Sequence, residues 1–166
     1  MTIRNNTPNL LDNPPVPVQA KLAAAWTSLM FFYIYIDYFH LYRPGAIDQI
    51  RGGDIFNFHI TPTLMTIFVL VIGIPALMVM LSMALPARAN RTLNLVVASL
   101  YIPVTVFNAA GASSDWAFYY GFHIGLEVLI LAFILRSAWT WPRRVASPTA
   151  TAASVYHEPL QTQHHA

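Results

Sequence analysis

ITPTLMTIFVLVIGIPALMVMLSMALPA, residues 60–87, is an uninterrupted run without a single charged side chain. A helix needs roughly 20 mainly apolar residues, each rising about 1.5 Å, to cross the hydrocarbon core of a bilayer. Lipid offers no water to satisfy backbone groups, so a run of this length must be helical where it crosses. The stretch therefore predicts a membrane-spanning helix and indicates an integral membrane protein.

Three further apolar runs complete the pattern. Counted in chain order, with the quoted stretch as the second run, the first run contains one charge, Asp37. The third run contains none, and the fourth has Glu127 near its middle. The chain is therefore predicted to be an all-α, polytopic membrane four-helix bundle with spans at about residues 22–42, 62–86, 92–111 and 116–139. Pro75 and Pro103 lie inside two of these runs and predict kinks, because neighbouring helices can satisfy the carbonyl that each proline frees.

Composition supports the membrane class and excludes several kinds of site. Of the 166 residues, 56% are hydrophobic and only 10% are charged, against about 25% charged in an ordinary soluble domain. The absence of cysteine excludes disulfides, thiolate metal sites, iron–sulfur clusters and cysteine nucleophiles. A net charge of +2 is too small to indicate nucleic acid as a partner.

The placement of basic residues predicts the orientation. Residues 1–20 and 143–166 are expected to be disordered cytoplasmic tails around a membrane domain at residues 21–142, with no removable signal peptide. Seven basic residues fall on the side of the tails, and two on the other side. The seven are Arg4, Lys21, Arg88, Arg91, Arg136, Arg143 and Arg144. Both termini are therefore predicted to be cytoplasmic in a plasma or inner membrane, with Trp26, Trp116, Trp139 and Trp141 as interfacial aromatics near the helix ends.

Two loops carry expectations of their own. In the first, residues 46–51 are predicted to form one or two helical turns between Pro44-Gly45 and Gly52-Gly53, either as a cap over the bundle or as a simple connector. In the second, Arg88, Arg91 and Asn94 are predicted to meet the cytoplasmic interface, because anionic headgroups attract basic side chains.

Polar side chains inside the predicted helices are the chemically informative positions. A charge near the bilayer centre costs about 3 kcal/mol, so such residues usually face the bundle interior and have partners. The candidate ligand or proton site contains seven residues: Tyr33, Asp37, His40, Asn108, Tyr120, His123 and Glu127. Steps of three and four residues place the members from the first helix on one stripe, and those from the fourth helix on another.

Matching depths predict that the first and fourth helices are neighbours. By the helical rise, Tyr33 and Glu127 both fall within about 2 Å of the bilayer centre, on antiparallel spans. Asp37 and His123 both fall roughly 7 Å to the outer side of that centre. We therefore expect Tyr33 to face Glu127, and Asp37 to face His123 as a proton exchange point.

Small residues predict the packing of the fourth helix. Gly121 and Gly125 form a G-x-x-x-G pair, which allows another helix to approach closely. At about 100° per residue they lie on the side opposite His123 and Glu127. This helix is therefore predicted to pack tightly on one side and to present polar groups on the other.

Several functions fit these polar residues. They can be structural pairs that fix helix register with no ligand, or they can bind a small lipophilic ligand or relay protons. In a membrane enzyme they would act as acid and base on a lipid or quinone. A metal or haem held by His40 and His123 has only helical spacing in its favour, so no cofactor and no metal site are expected. The candidate partners are the bilayer, a small lipophilic ligand and a second copy of the chain.

Three segments carry a resemblance to a known family. FFYIYIDYFHLYRPG (residues 31–45), LMVMLSMALPARANRTLN (residues 77–94) and Tyr101-Ile102 resemble an uncharacterised family of small four-helix membrane proteins in prokaryotes. The resemblance covers about residues 20–142, and its more specific parts are the first helix and the pattern Asn90-Arg91-x-x-Asn94. The architecture is more distantly similar to DoxX-like proteins, some of which are linked to quinone or redox chemistry. The resemblance implies the four-helix topology and transfers no activity.

Overall fold

The computed structural model describes residues 14–56, 58–110 and 114–142, and within them the chain is almost entirely helical. The α-helices are α1 Val18–His40, α2 Ala46–Arg51, α3 Pro62–Ala84, α4 Ala87–Ala110 and α5 Ala117–Trp139. A short antiparallel hairpin, β1 Asp54–Ile55 and β2 Phe58–His59, follows α2, and a 3₁₀ turn at Ser114–Trp116 precedes α5. The predicted tails lie largely outside the described residues.

Four helices are long and apolar enough to cross a membrane: Val18–His40, Pro62–Ala84, Ala87–Ala109 and Ala117–Trp139. Large apolar side chains such as Val69, Leu100 and Phe122 are exposed on the outside of the bundle. The hydrocarbon chains of a bilayer solvate such an apolar surface favourably, whereas water does not. The predicted all-α four-helix bundle is confirmed.

The spans form a ring in which α1 packs along α3 and α5, and α5 packs along α4. The predicted contact between the first and fourth spans is therefore confirmed. α3 and α4 are consecutive in sequence but touch over a shorter length. We call the end that carries α2 and the β-hairpin the hairpin end. The opposite end, where α1 begins and α5 finishes, is the terminal end.

Local signals explain the bounds of α3. The hydroxyl of Thr61 accepts a hydrogen bond of 3.1 Å from the backbone N–H of Leu64, and Pro62 occupies the first helical turn, where a missing N–H costs nothing. At the other end Leu85 is extended, as the residue before Pro86 prefers to be. Because of this stop, α4 begins directly afterwards at Ala87.

Both intrahelical prolines lie inside α3 and α4, as predicted. Pro75 has no N–H, so the carbonyl of Val71, four residues earlier, loses its usual helical partner. The hydroxyl of Tyr101 on α4 donates a hydrogen bond of 2.5 Å to that carbonyl. The bundle therefore tolerates Pro75 because a neighbouring helix supplies the missing donor. The size of the kink at each proline stays a prediction.

The connection between α1 and α3 folds back onto the bundle. Gly45 and Gly53 take positive φ angles of 81° and 91°, which glycine adopts without strain. The ring of Phe56 lies 4.3 Å from that of His40 on α1, and the ring of Phe58 lies 6.3 Å from that of Phe107 on α4. These contacts indicate that the first loop forms a cap over the bundle and is not a simple connector.

Candidate functional site

Glu127 of α5 is fully buried and is held by two other helices. Its Oε1 accepts a hydrogen bond of 2.5 Å from the hydroxyl of Tyr33 on α1. The same oxygen accepts a hydrogen bond of 2.7 Å from Thr105 Oγ1 on α4. Hydrogen bonds to a charged acceptor are stronger than neutral ones, so the carboxylate joins α1, α4 and α5 at one point.

His123 lies one helical turn before Glu127 and is buried beside it. Its Nε2 is 3.6 Å from Glu127 Oε2, which is within ion-pair range but too long for a hydrogen bond. The ring of Phe32 meets the imidazole edge-on, with 5.2 Å between centroids. We call Tyr33, Thr105, His123 and Glu127 the Glu127 cluster.

Three polar atoms of this cluster lack hydrogen-bond partners among the described residues. They are Nδ1 and Nε2 of His123 and Oε2 of Glu127. A buried polar atom without a partner costs free energy, so native structures contain few of them. One oxygen of Glu127 is therefore satisfied twice, while the other faces an imidazole nitrogen that is also unsatisfied.

The cluster contains three of the residues predicted from the sequence. The expected contact between Tyr33 and Glu127 is present at the predicted interface of α1 and α5. His123 is adjacent, as its spacing from Glu127 predicted. The functional role of these residues stays a prediction.

The expected direct pair of Asp37 and His123 is wrong. Asp37 is exposed and forms no hydrogen bond or ion pair with any described residue, and the acid beside His123 is Glu127. The reason is rotation, because a residue four positions after Tyr33 lies about 40° further round α1. That angle takes Asp37 off the line of Tyr33, so it keeps an electrostatic interaction with His123 without a direct ion pair.

The other predicted site residues lie apart from the cluster. His40 packs against Phe56 of the hairpin segment. Tyr120 accepts a hydrogen bond of 2.5 Å from Arg43, whose guanidinium also lies over the aromatic rings at the start of α5. Asn108 is half-buried and forms no hydrogen bond with another described residue. These residues shape the hairpin end and do not contact Glu127.

The expected tight packing on Gly121 and Gly125 is also wrong within this chain. Both glycines are exposed, and a Cβ added to either would meet nothing within 4 Å. The buried side of α5 is the one that carries His123 and Glu127. Glu127 is the charged side chain near the middle of this span, and because it packs inward the glycines on the opposite side face outward.

Thr105 is a cluster residue that sequence reasoning missed. It lies on α4, one turn after Tyr101, and its single hydroxyl proton is shared between Glu127 and the Tyr101 carbonyl, which is 3.0 Å away. A hydroxyl inside an otherwise apolar span was the available signal, but threonine commonly bonds to its own helix and therefore gives little indication of a second partner.

A second polar cluster lies near the terminal end. Asn94 is fully buried, and its Oδ1 accepts a hydrogen bond of 2.7 Å from the indole N–H of Trp26. Its Nδ2 donates to Asn90 Oδ1 at 2.7 Å, and Asn90 Nδ2 donates to the carbonyl of Ser82 at 2.6 Å. The prediction that Asn94 meets the interface is therefore wrong, and Trp26 faces the core of the bundle, while its depth in a membrane stays a prediction. Because α4 begins at Ala87, the two asparagines lie one helical turn apart and face the core.

Arg91 of the same motif binds the end of α5. Its Nε donates a hydrogen bond of 3.2 Å to the carbonyl of Ala138, and its guanidinium lies 5.8 Å from the centre of the Trp139 ring. The pattern Asn90-Arg91-x-x-Asn94 thus contacts the other three spans. These contacts hold α1, α3 and α5 against α4 at the terminal end.

No group of three or more His, Cys, Asp or Glu side chains that could hold a metal ion occurs in residues 14–56, 58–110 and 114–142. His40 and His123, the pair considered for a metal or haem, have separate neighbours: Phe56 for the first, Glu127 and Phe32 for the second. The arrangement around Glu127 is that of an acid–base pair, with one carboxylate oxygen and one imidazole nitrogen facing each other.

Comparison with known proteins identifies a family. A sequence profile described as a family of unknown function, DUF6326, matches residues 17–147, which include all four spans and both polar clusters. Comparisons with curated proteins and with solved structures find no significant match. The distant similarity to DoxX-like proteins stays a prediction. Since the profile covers most of the sequence, the chain belongs to the family of unknown function DUF6326.

Proposed function

We propose that this protein binds and exchanges a proton inside the membrane, at the pair formed by His123 and Glu127. The observation that carries the proposal is the set of three buried polar atoms on these two side chains that have no hydrogen-bond partner among the described residues. Carboxylate and imidazole are the usual acid–base groups of proteins.

The two oxygens of the Glu127 carboxylate differ in hydrogen bonding, and this difference favours a proton site over a structural pair. A pair that only fixes helix register would satisfy its polar atoms as far as possible. Here Tyr33 and Thr105 hold Oε1 and fix the orientation of the carboxylate. Oε2 is left 3.6 Å from the imidazole, so a small movement of either side chain would form a hydrogen bond through which a proton passes.

The surroundings support exchange with the hairpin end. Asp37 is exposed on that side of the cluster and within electrostatic range of His123, so its negative charge favours a proton that reaches the imidazole from the hairpin end. On the other side of the cluster, Leu29 is fully buried between Tyr33 and Trp26, and the indole of Trp26 is bonded to Asn94. We propose access from the hairpin end alone, which makes the protein a one-sided proton site rather than a continuous pathway.

The membrane and orientation belong to the same proposal. Lys21, Arg88, Arg91 and Arg136 all lie at the terminal end. The positive-inside rule then places both termini in the cytoplasm and the hairpin end outside, in a plasma or inner membrane. Protons would be exchanged with the exterior.

Proton uptake in nanodiscs tests the proposal. The purified protein is titrated from alkaline to acidic pH, and bound protons are counted for the wild type and for Glu127→Gln. We expect the variant to take up about one proton fewer. Asp54→Asn is the control for the size of a one-proton difference, because Asp54 forms an exposed pair with His59 at 3.1 Å. Identical uptake curves for the wild type and Glu127→Gln would contradict the proposal.

A further inference from the structure

A groove runs along the α1–α5 interface at the terminal end, on a different part of the surface from the Glu127 cluster. Its volume is about 540 Å³. The α1 side is lined by small residues, including Ala20, Ala24 and Ser28, and the α5 side by Leu129 and Phe133. Because small side chains of α1 face large ones of α5, the helices leave a channel open to the bilayer.

The length of the groove matches one leaflet. Residues 20–28 of α1 cover about 12 Å at the helical rise. One leaflet contributes about 15 Å to the hydrocarbon core of a bilayer. An extended acyl chain lying along α1 would therefore fill the groove from the headgroup level towards the membrane centre.

The charge at the mouth indicates the headgroup. Lys21 is exposed and is the single ionisable side chain that lines the groove. It lies in the first turn of α1, where no side chain caps the backbone N–H groups. An ammonium group beside free N–H groups at the start of a long helix attracts a phosphate.

A second copy of the chain fits this groove less well than a lipid. All the carboxylates of the described residues, such as Glu127 and Asp115, lie in the bundle centre or towards the hairpin end, so none could pair with Lys21 at this depth. Among the described residues, a self-association interface there would bring no carboxylate to the Lys21 ammonium, and burying an unpaired charge is costly. A phosphate supplies the missing negative charge.

We propose that the groove binds an anionic phospholipid, with one acyl chain between α1 and α5 and the phosphate at Lys21. The site is independent of the proton site, since none of its lining residues belongs to the Glu127 cluster. The contact of the acyl chain with both helices would help to hold α1 and α5 together at the terminal end.

Native mass spectrometry of the full chain tests this proposal. The delipidated protein is mixed with phosphatidylglycerol or phosphatidylcholine carrying identical acyl chains, and lipid-bound masses are compared. We expect phosphatidylglycerol to be retained about fivefold more, since one basic side chain contributes about 1 kcal/mol to binding an anionic lipid. Lys21→Gln should remove the preference, whereas Arg88→Gln, an exposed charge at the same end, should keep it.

Variants that fill the groove test the contribution of the acyl chain to binding separately from that of the headgroup. Ala24→Phe should reduce retention of both lipids, and Ala132→Phe, on the exposed outside of α5, should leave retention unchanged. Ser28→Phe is a second filling variant if Ala24→Phe fails to fold. Equal retention of the two lipids by the wild type, or full retention by both filling variants, would overturn the proposal. So would a dimer mass that the filling variants abolish.

Discussion

Tyr33 and Thr105 donate to the same oxygen of Glu127 from two different helices. This arrangement fixes the carboxylate while leaving its second oxygen towards His123. If one of these hydrogen bonds is lost, a charged oxygen is left without that donor in the apolar interior of the bundle. A single hydroxyl therefore matters for stability.

Removing the phenol hydroxyl of Tyr33 should therefore destabilise the fold. Tyr33→Phe keeps the ring and deletes one donor to Glu127, at an expected cost of about 0.6–2 kcal/mol, the range measured for hydrogen bonds between membrane helices. Tyr35→Phe is the matched control, because Tyr35 is exposed two residues away and its hydroxyl forms no hydrogen bond with the described residues. Unfolding free energies in mixed micelles measure the difference. Equal stability of the two variants would contradict the role of Tyr33.

For individual residues, the sequence predicts depth in the bundle better than the angle around a helix. Depth matching on antiparallel helices was sufficient to predict that Tyr33 meets Glu127. It failed for Asp37, because depth does not specify the angle around the helix, and a few tens of degrees separate an interface from an exposed position. Thr105 was missed because a threonine hydroxyl in a helix already has a backbone partner.

At the scale of the element, α3 depends on α4. Pro75 removes one helical hydrogen bond, and Tyr101 supplies a donor to the carbonyl that is left free. Trp26 and Tyr33 of α1 both pack against the Tyr101 ring, with centroids 6.1 Å and 6.5 Å away. The proline and the tyrosine are therefore coupled across a helix interface.

A double-mutant cycle measures this coupling. Tyr101→Phe should destabilise the fold by about 1 kcal/mol, because the Val71 carbonyl loses its donor. Pro75→Ala restores the backbone N–H, so the same tyrosine change should cost much less in that background. Unfolding free energies of the four proteins give the coupling. Additive effects of the two substitutions would show that the hydroxyl does not compensate for the proline.

Element boundaries explain the misplaced asparagines. The run without charges after Arg91 suggested a span from about residue 92, but α4 begins at Ala87. Hydropathy identifies the apolar part of a helix and not its polar first turn, so Asn90 and Asn94 were interpreted as loop and interface. Their spacing of four residues was the signal that both belong to one helical face. Likewise, the pattern of Gly121 and Gly125 does not specify whether a partner helix lies in the same chain.

At the scale of the whole molecule, the two ends of the bundle differ. The terminal end is tied by the Asn90, Arg91 and Asn94 contacts and carries basic residues, whereas the hairpin end carries Asp48, Asp54 and the cap. The four-span topology was predictable because long apolar runs have few alternatives in a membrane. The asymmetric placement of polar contacts depends on side-chain geometry, which periodicity alone does not contain.

This asymmetry predicts the topology. Reporter proteins fused after Phe56 and after residue 145 should give an outside signal at the first site and an inside signal at the second, because basic residues favour the cytoplasmic side. Replacing two basic residues of the terminal end by acidic ones, with Arg88→Glu and Arg136→Glu, should weaken this orientation. An inside signal after Phe56 in the wild type would overturn the proposed access of protons from the exterior.

Infrared difference spectroscopy of the protein in lipid nanodiscs measures whether Glu127 exchanges a proton within the bundle. Acidification should produce a protonated-carboxyl band that disappears in Glu127→Gln, remains in Asp37→Asn, and is displaced in His123→Gln because the imidazole faces the same oxygen. The amide bands check that each variant keeps its helices. A carboxyl band that is unchanged in Glu127→Gln would contradict the account and leave the Glu127 cluster as a structural contact.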